Sequence, residues 1–261
     1  MTTETRPPEA TAVTSRRPRD IRFGMIVPFD MALDREYWQF LPEHASVHVT
    51  RLPIIDLPYG LEHAGLVADP AAMHEAVQTL VRIEPDAIGF GCTSGSFVGG
   101  VDFERGIRDR MEASGAKVAV TPLNGLVDAL HLLGARRVGL GTPYGLPVAT
   151  TLWNYLAEAG FEPVSLENLE IDDEEEVIAA SDELVFELAR RAMRPDADAV
   201  FLSCTNLPTF AVLGEVEREL GVPVLSANQT LMWGLCQAAG IPLGGGDNSL
   251  RRLSPAVARA R

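Results

Sequence analysis

Two stretches of this chain close in the same way. One reads Pro85-Asp86-Ala87-Ile88-Gly89-Phe90-Gly91-Cys92-Thr93-Ser94, the other Pro195-Asp196-Ala197-Asp198-Ala199-Val200-Phe201-Leu202-Ser203-Cys204-Thr205-Asn206, and their cysteines lie 112 residues apart. In each, a short apolar run ends in Cys-Thr and a small polar residue. An apolar run of that length, entered through Pro-Asp, reads as a strand buried on both faces, as in a parallel sheet. Its carboxyl end delivers a thiol and two hydrogen-bonding side chains, and open α/β sheets take their ligands at that edge.

The correspondence extends along the chain. Ile21-Arg22-Phe23-Gly24-Met25-Ile26-Val27-Pro28-Phe29 has the form of Arg137-Val138-Gly139-Leu140-Gly141-Thr142-Pro143-Tyr144, with Pro28 and Pro143 matched 115 residues apart. A third pair sets Val118-Ala119-Val120-Thr121-Pro122-Leu123-Asn124 against Val222-Pro223-Val224-Leu225-Ser226-Ala227-Asn228. Helical patterns follow each, from Leu126 to Gly134 and from Leu231 to Gly240. Between these lie two further helical stripes. Pro70 to Ile83 places Met73, Ala76, Val77, Leu80 and Val81 on one face, and Asp173 to Met193 does the same with Val177, Ile178, Leu184, Val185, Leu188 and Ala192. The acids Asp172 to Glu176 open the second stripe, where they complement a helix macrodipole.

Strands alternating with helices imply parallel sheets and right-handed crossovers. The expected fold is α/β, with two pseudo-symmetric Rossmann-like lobes and an active site in the cleft between them. The first lobe is expected over residues 21–125 with a returning segment 226–261, and the second over 126–225. Residues 1–20, rich in Thr, Arg and Pro, are expected to be a disordered lead-in rather than a signal peptide. The polar tail from Asp247 to Arg261 is expected to be loosely held.

A net charge of −14 argues against nucleic acid as a partner, because phosphate binding needs clustered Lys and Arg. No run approaches the roughly 20 apolar residues of a membrane span. Three cysteines, none in a C-x-x-C pair, suggest neither a disulfide framework nor a structural zinc site. A reducing cytoplasm suits working thiols.

Cys92 and Cys204 are the candidate catalytic residues. A thiolate is nucleophile and proton acceptor, and a helix N-terminus lowers its pKa from about 8.5 toward about 7 or below. Thr93, Ser94, Thr205 and Asn206 add donors suited to a carboxylate or a developing enolate. Tyr144, following Pro143 at a strand end, is placed to turn its hydroxyl into the cleft, and Pro28 marks the matching position of the first lobe. The alternative is that both thiols only pack, since free cysteine is often buried. Cys236, inside the apolar stretch Leu231-Met232-Trp233-Gly234-Leu235, reads as core. Gly89, Gly91 and Gly95 follow a G-x-G-x-x-x-G spacing, not a dinucleotide fingerprint. His44, His48, His63, His74 and His131 show no zinc-helix spacing and read as scattered surface residues.

At Gly91-Cys92-Thr93-Ser94-Gly95, Thr142-Pro143-Tyr144 and Ser203-Cys204-Thr205-Asn206-Leu207 the chain resembles the aspartate/glutamate racemase superfamily, in the branch of maleate cis-trans isomerase and arylmalonate decarboxylase. The resemblance runs from Ile21 to about Gly240. It implies cofactor-independent chemistry on a small carboxylic acid and a homo-oligomer, dimer or tetramer. The decarboxylases of the branch have glycine at the first cysteine, so Cys92 and Cys204 together resemble the isomerase and racemase side. By resemblance, Cys92 adds to a substrate double bond, Cys204 supplies a proton, and Thr93, Ser94 and Tyr144 hold a carboxylate or stabilise an enediolate. Two positions depart from maleate isomerases: Met31 stands where a carboxylate-binding asparagine is expected, and only acids occur near Asp173 and Glu174, where a second would fall.

The leading expectation is therefore a cysteine-dependent isomerase of small carboxylic acids. Its rivals are an amino-acid racemase or epimerase transferring protons between the same thiols, an arylmalonate-type decarboxylase, and a non-catalytic metabolite-binding protein.

Overall fold

A computed structural model describes residues 20–253; apart from Asp20, the lead-in expected over residues 1–20 lies outside the described residues. Strands β1 (Ile21–Val27), β2 (Ala45–Arg51), β3 (Ala87–Phe90) and β4 (Ala119–Val120) form a parallel sheet in the order β2-β1-β3-β4. Strands β5 (Arg137–Thr142), β6 (Glu162–Asn168), β7 (Ala199–Leu202) and β8 (Val224–Ser226) form a second parallel sheet in the equivalent order, β6-β5-β7-β8. Around the first sheet run α1 (Asp34–Gln39), α2 (Leu61–Val67), α3 (Pro70–Leu80), α4 (Thr93–Phe97), α5 (Gly100–Ala113) and α6 (Pro122–Leu133). The second half supplies α7 (Leu146–Glu158), α8 (Glu174–Ile178), α9 (Asp182–Ala192), α10 (Leu213–Leu220), α11 (Ala227–Ala238) and α12 (Ser249–Leu253).

Helices cover both faces of the inner strands. Every residue of β3 and of β7 is buried, which is why these segments read as continuous apolar runs instead of alternating ones. The strand starts are clasped alike: Asp86 Oδ2 accepts the Arg22 N–H at 3.0 Å, and Asp198 Oδ2 accepts the Arg137 N–H at 2.7 Å. Asp198, not Asp196, is thus the counterpart of Asp86. The third matched pair needs a one-residue correction. Thr121 caps α6 through the Asn124 N–H and Ser226 caps α11 through the Gln229 N–H, so Thr121 corresponds to Ser226 and not to Leu225. Both helices start four residues earlier than their apolar stripes suggest, because these capping turns precede them.

Two further expectations are corrected. The stripe from Asp173 to Met193 is two helices, since Ser181 at φ −73, ψ 157 leaves helical geometry and restarts the chain as the N-cap of α9. The tail is held as far as it is described: Asn248 is buried, and α12 buries Leu250 completely.

α6 and α11 lie side by side, closely enough that a Cβ at Gly125 would stand 2.3 Å from the Thr230 carbonyl oxygen. Only glycine fits there. Leu231 and Leu235 of α11 also reach Gly89 on β3, so the segment after β8 packs on the first sheet. On that contact we propose the lobes as 21–125 with the segment from 226 onward, and 126–225.

Candidate active site

Cys92 follows β3 with extended φ −136 and ψ 113 and caps α4; its Sγ accepts the Gly95 N–H at 3.3 Å and lies 3.8 Å from Ser94 Oγ. Cys204 follows β7 and Ser203, and its Sγ accepts the Asn206 N–H at 3.4 Å. The two loops are built differently despite the repeat. Cys204 has φ +95, in the region that favours glycine, and holding a side chain there costs about 1–3 kcal/mol. Thr205 Oγ1 donates to the Gly91 carbonyl at 3.2 Å, which joins the thiol-bearing strand end of one sheet to that of the other.

Both cysteines open onto one cavity of about 260 Å³ between the sheets. Pro28, Thr93, Ser94, Tyr144, Thr205 and Asn206 line it as well, so all eight residues singled out in the sequence meet there. Their hydrogen bonding separates them. Thr93 Oγ1 is buried and has no partner among the described residues. Tyr144 Oη accepts a 3.4 Å hydrogen bond from Ser203 Oγ, and its ring meets Phe97 edge-on at 6.0 Å. Asn206 is fully engaged, with two bonds to the first lobe and one to Glu174 within its own. Its Oδ1 accepts the Ala32 N–H at 2.9 Å, while Nδ2 donates to the Asp30 carbonyl at 3.1 Å and to Glu174 Oε1 at 2.6 Å.

Among the other lining residues, Met31 and Glu174 stand at or near the positions where the resemblance sets carboxylate-binding asparagines, whereas His63 and Tyr59 were not identified from sequence. His63 was expected at the surface, yet it is buried on the cavity wall with Nδ1 3.1 Å from the Leu57 carbonyl. With the proton on Nδ1 it donates to that oxygen. Its helix α2 is too short to display a stripe, and nothing in its neighbours marks it as inward-facing. Tyr59 joins the wall and donates to Asp30 Oδ2 at 2.7 Å. Met31, Ala64, Val67, Val148, Ile171 and Val177 supply apolar surface. Glu174, part of the acidic run, lines the cavity although its neighbour Asp173 performs the capping by accepting the Glu175 N–H.

Electrostatics here are dominated by burial. It pushes the Cys92 thiol up to about 12; the Gly95 and Ser94 bonds lower it, and the charges of Asp30 and Glu174 raise it further. Burial likewise lifts Cys204 well above the ordinary thiol range, and Glu174 adds to the rise. The lowered thiol pKa expected from the strand-to-helix position is therefore not found, because one or two N–H bonds do not offset desolvation beside carboxylates. Tyr144 is raised well above its ordinary value by burial and then by Cys204. Glu174 is raised to about 7 by burial, with Asp30, Asp173 and Glu175 contributing and the Asn206 bond opposing. Among the described residues no group of three or more His, Cys, Asp or Glu could hold a metal ion, and no helix is long and apolar enough to cross a membrane.

Two equivalent α/β lobes, each delivering a thiol from its third strand to a shared cleft, define an enzyme of the aspartate/glutamate racemase superfamily. The model of the arylmalonate decarboxylase family matches residues 64–248. The chain is 33% identical over 222 residues to an arylmalonate decarboxylase of Bordetella bronchiseptica, covering 83% of this chain and 90% of the relative. It is 29% identical over 233 residues to a maleate isomerase of Nocardia farcinica (strain IFM 10152), covering 85% and 91%. A solved structure of a Nocardia farcinica maleate cis-trans isomerase, a cysteine-to-serine mutant with a covalently bound succinylcysteine intermediate, superposes with TM-score 0.77 at 25% identity over 89% of this chain and 98% of that one. The chain belongs to the arylmalonate decarboxylase family. Cys236, by contrast, is buried in α11 away from the cavity, as its sequence suggests.

Proposed function

We propose that this protein is a cofactor-independent cis-trans isomerase of a small carboxylic acid, with Cys92 as nucleophile and Cys204 as proton donor and acceptor. The observation that carries this reading is the single cavity reached by one thiol from each sheet. The relative whose structure holds a succinylcysteine supports it, since such an adduct is what thiol addition to a double bond leaves behind.

Burial raises both thiols above the ordinary range and keeps them protonated at rest. The reaction therefore begins when hydroxide or a buffer base from solvent takes one proton from the pair, leaving a single thiolate that the remaining steps conserve. The ionised Cys92 sulfur then forms a C–S bond at the carbon β to the carboxylate. The π pair passes into an enediolate, which takes a proton at the α carbon from the Cys204 thiol. The charge now rests on Cys204, and the former double bond is single and free to rotate. Elimination reverses these steps: Cys204 removes the α proton, the double bond re-forms, and the C–S pair returns to Cys92. Nothing is oxidised or reduced. Thr93 Oγ1, Ser94 Oγ and Tyr144 Oη are the hydroxyls available to stabilise the enediolate.

Cys92→Ser and Cys204→Ser are each expected to lower turnover by at least about 10³-fold, with melting temperatures within a few degrees of the parent. Full activity in either folded variant would refute the paired-thiol chemistry. The same reading carries our further proposals of a cytoplasmic location, where free thiols persist, and of a homo-oligomer, dimer or tetramer.

A further inference from the structure

The cavity is polarised in a way that thiol chemistry does not require. A second, more open cavity of about 400 Å³ continues outward from it, sharing Asp30, Tyr59, Asp172 and Glu174 and adding Asp173, Glu175 and Ile178. Five carboxylates therefore border the outer end, whereas the thiols and Thr93 belong to the inner part alone. No residue lining either cavity is Lys or Arg, and among the described residues none of the five acids forms an ion pair.

Two of these acids are oriented by one neutral donor each. Tyr59 Oη holds Asp30 Oδ2 at 2.7 Å, and Asn206 Nδ2 holds Glu174 Oε1 at 2.6 Å. Among the described residues no group donates to Asp30 Oδ1 or Glu174 Oε2, so each carboxylate keeps one oxygen for a ligand. An independent observation points to a ligand at the inner end: Thr93, 1% exposed and on the cavity wall, has a hydroxyl without a partner among the described residues. A donor inside and acceptors outside match a molecule that is negative at one end and positive at the other. A dicarboxylate would instead set its second carboxylate against Asp30 and Glu174.

We propose that the acid bound here carries a protonated nitrogen at the end remote from its reacting carboxylate, held between the carboxylates of Asp30 and Glu174. The placing of the reacting carboxylate near Thr93 rests on the function proposed above, whereas the nitrogen site rests on the outer acids. Asp30 and Glu174 are thus specificity-determining residues, selecting an ammonium-bearing monocarboxylate over a dicarboxylate.

The test is binding calorimetry at pH 8 on the whole protein with three cis-unsaturated acids: cis-4-aminocrotonate, maleate and cis-pent-2-enoate. The aminocrotonate is expected to bind at least about tenfold more tightly than either of the others, and an Asp30→Asn/Glu174→Gln double variant to reduce that preference below about threefold. Maleate binding as tightly as the aminocrotonate, no heat with the aminocrotonate, or a preference that survives in the folded double variant would each overturn the proposal. Should the double variant fail to fold, the Asp30→Asn protein replaces it, and the ranking in the parent protein decides alone if neither folds. All titrations are made in a Cys92→Ser background, which is expected to lack turnover, so the heat reports binding alone. Conversion is then followed separately with the unaltered protein, and the two readings separate. An aminocrotonate that binds tightly without being isomerised contradicts the isomerase and leaves the nitrogen site standing; maleate that binds best and is isomerised does the reverse.

Discussion

Glu174 shows how one side chain in the cavity wall ties protonation to stability. Its carboxyl, raised from 4.5 to about 7 chiefly by burial, stays protonated in the folded protein over a range where the unfolded chain has already released its proton. The folded state then binds the extra proton, so stability falls as pH rises from about 4.5 to about 7 and the whole penalty is present above that. At about 1.4 kcal/mol per pH unit the penalty is on the order of 3–4 kcal/mol at most. Glu174→Gln keeps the amide acceptor for Asn206 and removes the charge. Its melting temperature is expected to match the parent at pH 5 and to exceed it by about 5 °C or more at pH 8.5. A difference that does not grow with pH would contradict the raised pKa. Only the family resemblance marks this position, as one where an acid stands near an expected carboxylate-binding asparagine. The acidic run itself satisfies a dipole argument as a group, and nothing local shows that Asp173 makes the cap while Glu174 turns to Asn206, 32 residues away. The positive φ of Cys204 was equally hidden: its motif matches that of Cys92 by residue type, yet the two backbones differ.

At the level of elements, α1 is fastened to the second half of the chain through one buried carboxylate. Glu36 Oε1 accepts the Thr209 and Phe210 N–H groups at 2.6 and 2.8 Å, and Oε2 accepts Asn228 Nδ2 at 2.8 Å. Burial raises the Glu36 pKa and these bonds oppose the rise. Glu36→Ala leaves the Thr209 and Phe210 N–H groups without their acceptor and takes one of two acceptors from Asn228 Nδ2, which keeps the Thr205 carbonyl. It is expected to cost about 3 kcal/mol, a drop of roughly 6 °C or more in melting temperature. An unchanged melt would show that water or a neighbour replaces the carboxylate at no cost. The partners of Glu36 lie 173 residues or more along the chain, and no local pattern announces such a pairing. The pairing of β1, β3 and β4 with β5, β7 and β8 was legible, by contrast, since the apolar runs and Pro28/Pro143 recur at nearly constant spacing; the edge strands β2 and β6 carry no such match. The split between α8 and α9 was not, because their apolar residues continue one stripe while Ser181 resets the backbone between them.

Across the whole molecule, the repeat matters because it brings two carboxyl-terminal sheet edges to one place. Thr205 to Gly91 and Asn206 to Ala32 and Asp30 join the halves at that edge, so the cleft is held from its own lining residues. That explains why eight residues chosen from strand-end motifs converge: once two equivalent sheets face each other, their corresponding ends share a cavity. The walls contributed by α2 and by the loop before it, with His63 and Tyr59, depend on how a segment folds back over the cleft and carry no periodic signature.

The paired-thiol chemistry is tested most directly by trapping its covalent intermediate. Cys204→Ser protein is incubated with the cis-unsaturated acids that the parent converts, drawn from maleate and cis-4-aminocrotonate, then digested and weighed by mass spectrometry. Without the second thiol the adduct is expected to persist, and the peptide containing Cys92 to gain the full mass of one acid molecule. A Cys92 peptide of unchanged mass with every acid tested would contradict addition by this thiol.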